Sequence, residues 1–284
     1  MRGSLRRAWS TPWFASLLIL VAFLAVWQVL TSAGPGTSGA IDPEYARLAG
    51  QSAAAEQTGA IPTPIAVAQR GYELLTNAFD RSNPNNLGIA WHLAYSMGRV
   101  LLGFVLALIV AVPLGFALGL LPPLHRALNP FIQVLRPISP LAWMPLALYI
   151  FRDSGVSTIF IIFICAVWPM LINTAAGAAN VRHEWLNVSR VFGLGTFEHI
   201  SKIIFPASVP MIMTGMRISI GIAWFVIVAA EMVGAQSGIG YFIWNEWNNL
   251  QIASMIVAIV LIGVVGLGLD LGLSWVGQRL SFRE

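Results

Sequence analysis

Six stretches of this chain are apolar over lengths near the 20 residues a bilayer crossing requires, and that leaves few folds open to it. In lipid the backbone must satisfy its own hydrogen bonds, so such stretches become helices. They are 12–30, 99–121, 135–151, 156–179, 209–234 and 252–277. The chain is 57% hydrophobic and 10% charged, against about 25% charged in a soluble domain. The expected fold is therefore all-α and polytopic, with about six transmembrane helices. A basic start followed by an apolar run also describes a signal peptide, but those cores run about 7–15 residues. The longer run at 12–30 favours a retained helix.

Between the first and second runs, residues 33–90 read as a loop outside the membrane. Its first part, "SAGPGTSGAIDPEYARLAGQSAAAEQTGAIPTP", is rich in small, polar and helix-breaking residues. Residues 65–79 then place Ile65, Ala68, Tyr72, Leu75 and Phe79 at helical spacing, which predicts an amphipathic helix on the membrane surface. The chain thus divides into a tail and first helix (1–32), this outer loop (33–90), a core of spans (91–278) and a short tail (279–284).

An even number of spans puts both termini on one side, and the basic residues identify it. Arg2, Arg6, Arg7, Arg126, Arg136, Arg182, Arg190, Lys202, Arg279 and Arg283 all fall on the side of the termini. The opposite loops hold Arg47, Arg70, Arg81 and Arg152 among seven acidic residues. Positive charge accumulates in the cytoplasm, so both termini are expected there, in the inner membrane of a bacterial cell. The formal charge of +4 is accounted for by these flanks and gives no reason to expect nucleic acid.

Catalytic clusters are missing from the sequence. It has no H-E-x-x-H and no G-x-S-x-G, and its four histidines lie near span ends or in loops. The lone Cys165 excludes a disulfide framework or a cysteine metal cluster. A phosphate-binding loop needs a lysine after glycine, and the single lysine, Lys202, sits in "HISKII". The chain is expected not to be an enzyme and to bind no metal or cofactor itself.

Transport fits better. The 135–151 run is short and carries Pro137, Pro140 and Pro145, and Pro169 interrupts the next. Discontinuous spans of this kind line substrate paths, although prolines also kink helices for packing. Arg99, Arg217, Glu231 and Asp270 are charged residues within the spans. Arg217 and Asp270 have matching depths, as do Arg99 and Glu231, so each set either pairs or snorkels separately. Gly115-x-x-x-Gly119 and Gly268-x-x-x-Gly272 offer close-packing surfaces.

The polar stretch "NVSRVFGLGTFEHISKIIFP" (187–206) interrupts this oily pattern. Trp185, Val188 and Val191/Phe192 share a helical face, and Gly193 to Gly195 supply a turn in which glycine tolerates positive φ. A second helix follows with Phe197, Ile200, Ile203 and Ile204 at helical spacing, ended by Pro206. Two short helices about a glycine turn fit either a docking element or a loop covering the bundle floor.

The stretch resembles the coupling-loop motif of binding-protein-dependent ABC transporter permeases: E-A-A, three residues, Gly, nine residues, I-x-L-P. Asn187-Val188-Ser189 takes the E-A-A positions, followed by Arg190, and Gly193 and Ile203 to Pro206 keep the spacing. The acid and both alanines are replaced. "SMGRVLLGFVLALIVAVPLGFALGL" and "IPTPIAVA" are similar to other segments of that family. "LRPISPLAWMPLAL", "FICAVWPMLINTAAG" and "GIGYFIWNEWNNL" resemble its nitrate/sulfonate/bicarbonate group, nitrate members most. The 33–61 insertion departs from the family.

The resemblance implies a type I importer permease with cytoplasmic coupling helices. It also implies a homodimer, two separate ATPase subunits that use ATP and Mg, and an extracytoplasmic binding protein. Asn187, Val188, Ser189, Arg190, Gly193, Phe197, Ile203 and Pro206 would then contact the ATPase. A small oxyanion, nitrate first and bicarbonate, cyanate or a sulfonate such as taurine otherwise, would need uncharged donors along its path. Met144, Trp168, Asn173, Thr174 and Trp224 are the candidates for that path, although each tryptophan taken singly reads more readily as packing or an interfacial anchor. A stand-alone secondary transporter is the other class, though no internal repeat supports it.

Overall fold

A computed structural model describes residues 12–32, 61–81, 87–182, 184, 185, 187 and 191–280, and these are helical wherever they are regular. The helices are α1 (Pro12–Ser32), α2 (Pro64–Thr76), α3 (Ile89–Leu120), α4 (Pro122–Leu135), α5 (Met144–Phe151), α6 (Ser154–Ala179), α7 (Thr196–His199), α8 (Phe205–Gly234), α9 (Ile239–Asn248) and α10 (Ile252–Leu280). A 3₁₀ turn (Pro140–Trp143) precedes α5, and a π turn (Ile200–Ile204) joins α7 to α8. The basic residues Arg2, Arg6, Arg7, Arg47, Arg190 and Arg283 lie outside the described residues.

Among the described residues four helices are long and apolar enough to cross a membrane: α3, α6, the continuous Thr196–Gly234 helix and α10. The bent pair Pro122–Leu135 and Pro140–Phe151 would make a fifth. The first run is itself helical over Pro12–Ser32, so with the bent pair taken as one span the helices accord with the expected polytopic all-α fold.

Local chemistry explains most boundaries. Thr63 caps α2, its hydroxyl accepting from the Ala66 amide at 3.2 Å, with Pro64 in the first turn where its missing donor costs nothing. Asp153 caps α6 in the same way, accepting from the Val156 amide at 2.7 Å. The expected 135–151 span is instead broken at its start: α4 ends at Leu135, and the Pro140–Phe151 segment that follows lies at 86° to it. Ser139, ahead of Pro140, is held at ψ 126, outside the helical region, because a proline ring crowds the residue before it.

By contact the chain divides into two compact units, residues 1–77 with 246–257, and 78–245 with 258–284. In the first, Arg70 of α2 donates to the Ser254 hydroxyl at 2.9 Å and pairs with Glu73. In the second, α6 packs against both α3 and α8 around a core that includes Val100, Ala107, Ile161, Met170, Ala223 and Ile227. Gly115 permits this approach, since a β-carbon there would sit 2.6 Å from that of Thr174. The Gly115/Gly119 motif therefore packs within the chain. Gly268 and Gly272 have nothing within 4 Å of such a β-carbon and present an open face.

Candidate functional site

The 187–206 stretch forms a projecting, apolar-tipped element. Glu184, Trp185, Asn187 and Val191 are helical and exposed, while Val188, Ser189 and Arg190 lie outside the described residues. Gly193 adopts φ 62, a left-handed conformation that costs other residues about 1–2 kcal/mol. Around it Val191, Phe192 and Phe197 are 84%, 75% and 83% exposed. Ile204, by contrast, is buried with Ala178 and Val181, against Phe116 and Leu120. The helical spacing of Phe197 and Ile204 therefore does not mark one buried face: Ile204 anchors the element and Phe197 projects.

Pro206 does not end the second helix as its sequence suggested. The Phe205 amide reaches the Ile200 carbonyl, one residue further back than in an α-helix. This widened turn lies directly before the proline, whose ring would crowd a regular turn and which has no N–H to donate. Helix continues from Thr196 to Gly234. Glu198 and Lys202 brace its start at 2.8 Å, and the Ser201 hydroxyl donates to the Phe197 carbonyl. Ile203 and Pro206, with Trp185 and Lys202, line a hollow of 210 Å³.

Both charge pairs in the spans are formed. Arg99 Nη1 lies 2.7 Å from Glu231 Oε1, and the other Glu231 oxygen accepts from the Ser96 hydroxyl at 2.7 Å and the Gly240 amide at 3.0 Å. Arg99 also donates to the carbonyl and hydroxyl of Ser237 at 2.6 and 2.8 Å. The Gly238 amide donates to His92 Nδ1 and the Ile239 amide to the Ser96 hydroxyl. Glu231 and Ser96 thus satisfy amides at the start of α9 that a helix cannot satisfy itself. Gly238, at φ 116, is needed here because a β-carbon would overlap the Glu231 carboxylate. The sequence reading missed His92, Ser96 and Ser237. The signal for two of them was available, since residues 92, 96 and 99 fall on one helical face.

Arg217 of α8 grips Asp270 of α10 through two bonds, Nε to Oδ1 and Nη2 to Oδ2, the latter at 2.6 Å. This pair is half-exposed.

The five path candidates differ in their surroundings within the chain. Met144 and Thr174 are 1% and 0% exposed within the chain. The Trp224 indole N–H, expected to be free for an anion, donates to the Ile262 carbonyl at 2.9 Å, and its ring packs on Gly266. Trp224 is therefore a helix-packing residue. Asn173 donates to the Pro169 carbonyl at 2.8 Å, and Trp168 packs half-buried against the core. The Thr174 hydroxyl has no partner among the described residues.

A cavity of about 860 Å³ lies among α3, α4 and α6. His125, Arg126, Asn129, Gln133 and Arg136 face it, on the one side of α4 that recurs at helical spacing. Among the described residues no group of three or more His, Cys, Asp or Glu could hold a metal.

Comparison with known proteins places these features in context. The family described as binding-protein-dependent transport system inner membrane component matches residues 103–282. The chain is 41% identical to the nitrate import permease protein NrtB of Leptolyngbya laminosa over 217 residues, covering 76% of this chain and 78% of that one. The Synechocystis protein of the same name is 39% identical, over 88% of this chain and 83% of its own. The bicarbonate transport system permease protein CmpB of Synechococcus elongatus is 36% identical, over 93% and 88%. Among solved structures, the fold is similar to a chain of the MetNI methionine ABC transporter in an inward-facing form. The TM-score is 0.61 at 14% identity, over 71% of this chain and 100% of that one.

Proposed function

This chain belongs to the binding-protein-dependent transport system inner membrane component family, and from that premise we propose that it is the permease of an ATP-driven importer for nitrate. In this reading two copies enclose the path, and two separate ATPase subunits dock on the 184–206 element. An extracytoplasmic binding protein delivers the anion. ATP and Mg are bound by the ATPase subunits, and this chain supplies no catalytic group. Both termini face the cytoplasm, as the distribution of arginines suggests.

One observation carries the docking role. Val191, Phe192 and Phe197 are at least 75% exposed at the tip of an element whose other end is anchored by Ile204. Outside lipid, clustered exposed aromatic residues mark a protein contact. Asn187 stands where the family motif has an acid, so docking rests on these apolar side chains and the Gly193 turn. The anionic substrate is supported by the nitrate permeases at 39–41% identity and by the basic cavity along α4.

Purification of the assembled complex tests the docking role. Phe197→Asp and Gly193→Pro should each release the ATPase while leaving the permease in the membrane. Labelled nitrate uptake by proteoliposomes carrying the complex, compared with bicarbonate and taurine, tests the substrate. Nitrate should be imported only with ATP and binding protein. Uptake by this chain alone would overturn the importer reading. The second reading, bicarbonate, is favoured by the 36% identity to a bicarbonate permease over 93% of this chain, and the same uptake series separates the two.

A further inference from the structure

Among the described residues two Arg–carboxylate pairs join different spanning helices, and their surroundings differ. Arg99 and Glu231 are 15% and 0% exposed, and hydroxyls, amides and a carbonyl complete their bonding. Arg217 and Asp270 are 53% and 40% exposed, and among the described residues neither side chain has any hydrogen bond except to the other. The first pair is built as structure. The second is left open.

Its depth makes that openness informative. Arg217 stands about 18 Å along the helix from Phe205 and about 26 Å from Gly234, at 1.5 Å per residue. Charges so far inside a spanning helix face a protein interior or an aqueous cavity rather than lipid. The side of α8 around Arg217 is exposed and small, with Thr214 and Gly221 one turn to either side. Nothing lies within 4 Å of a β-carbon placed on Gly221, so there is room beside the guanidinium.

The bonding pattern indicates what that room suits. Nε and Nη2 of Arg217 hold both oxygens of a planar carboxylate. Nitrate and bicarbonate are also trigonal and planar, and either can present two oxygens to the same fork. The geometry points to Arg217 as an oxyanion-binding station in the translocation path, with Asp270 as the tethered competitor that occupies the fork when no anion is there. The inference rests on the importer reading above. A fixed positive charge alone would hold an anion too tightly for passage. A carboxylate that returns to the fork expels the anion and leaves the empty station neutral.

The test uses the whole complex, with ATPase and binding protein, in liposomes. Gly221→Cys is the reporter and Thr214→Cys the second reporter. The native Cys165 is buried and stays silent. A membrane-impermeant anionic methanethiosulfonate should label a reporter, and nitrate should slow labelling where an equal concentration of sulfate does not. Adding Asp270→Asn should lower the nitrate concentration needed for protection about tenfold, the order of one hydrogen bond to a charged group. Adding Arg217→Lys, which keeps the charge and loses the fork, should raise it by at least as much. Nitrate uptake with neither reporter labelled, or labelling that nitrate does not slow, overturns the station while the importer reading stands. A complex that imports no nitrate overturns the importer reading itself.

Discussion

Glu231 is a single carboxylate on which α3, α8 and the start of α9 all depend. It neutralises Arg99, accepts from Ser96 and fixes the Gly240 amide. Removing one partner of a buried pair strands the other charge, at a cost of about 3–5 kcal/mol. Glu231→Ala should therefore lower the melting temperature of the detergent-purified complex sharply. Gly238→Ala should destabilise too, because its β-carbon meets the same carboxylate at a φ that disfavours alanine. The two effects share one cause, so the double variant should lose less than the sum, and strict additivity would refute the proposed clash. Thr174 is the opposite case. Its buried hydroxyl has no partner among the described residues, so Thr174→Val should leave the melting temperature unchanged or raise it slightly. A loss above about 1 kcal/mol would reveal an unseen partner.

At the scale of elements, the Gly193 turn and the π turn have separate tasks. The first sets a left-handed residue between the exposed Phe192 and Phe197, and the second carries helix past Pro206 without a break. Gly193→Ala should weaken ATPase retention during purification by a factor of about 5–30, as expected from a 1–2 kcal/mol penalty. With nothing within 4 Å of that position, a steric cause is excluded in advance. Sequence signals differ sharply among these elements. α6 and α10 were legible because apolar length is a local property that lipid rewards. The start of α3 was not, since His92 and Ser96 look wrong for a span until amides at 238 and 239, far away in the chain, supply their partners. The π turn was equally hidden, because proline chemistry predicts an interruption but not that a widened turn will absorb it. Trp224 stayed open between path and packing for a similar reason. Its N–H was visible in the sequence, whereas the Ile262 carbonyl that accepts from it was not.

For the whole molecule, the continuous helix from Thr196 to Gly234 joins the two most differentiated regions. Phe197 projects near one end, and Glu231 is locked into its cluster near the other, about 51 Å further along at 1.5 Å per residue. In the importer proposed above, a change in the Glu231 cluster should therefore be felt by an ATPase docked around Phe197. Ser96→Ala removes one bond to Glu231 and one to the Ile239 amide. It should raise basal ATP hydrolysis by the assembled complex about fivefold, a coupling of about 1 kcal/mol between the two ends. An unchanged rate would show that the ends act independently.

The unbroken passage through Pro206 also has a mechanical consequence. A hinge there would let the Phe197 end move before the Glu231 end responded. In the proposed importer, a continuous helix would instead pass a load applied by a docked ATPase at Phe197 to the Glu231 cluster with little slack, so that docking and release of that cluster would be timed together.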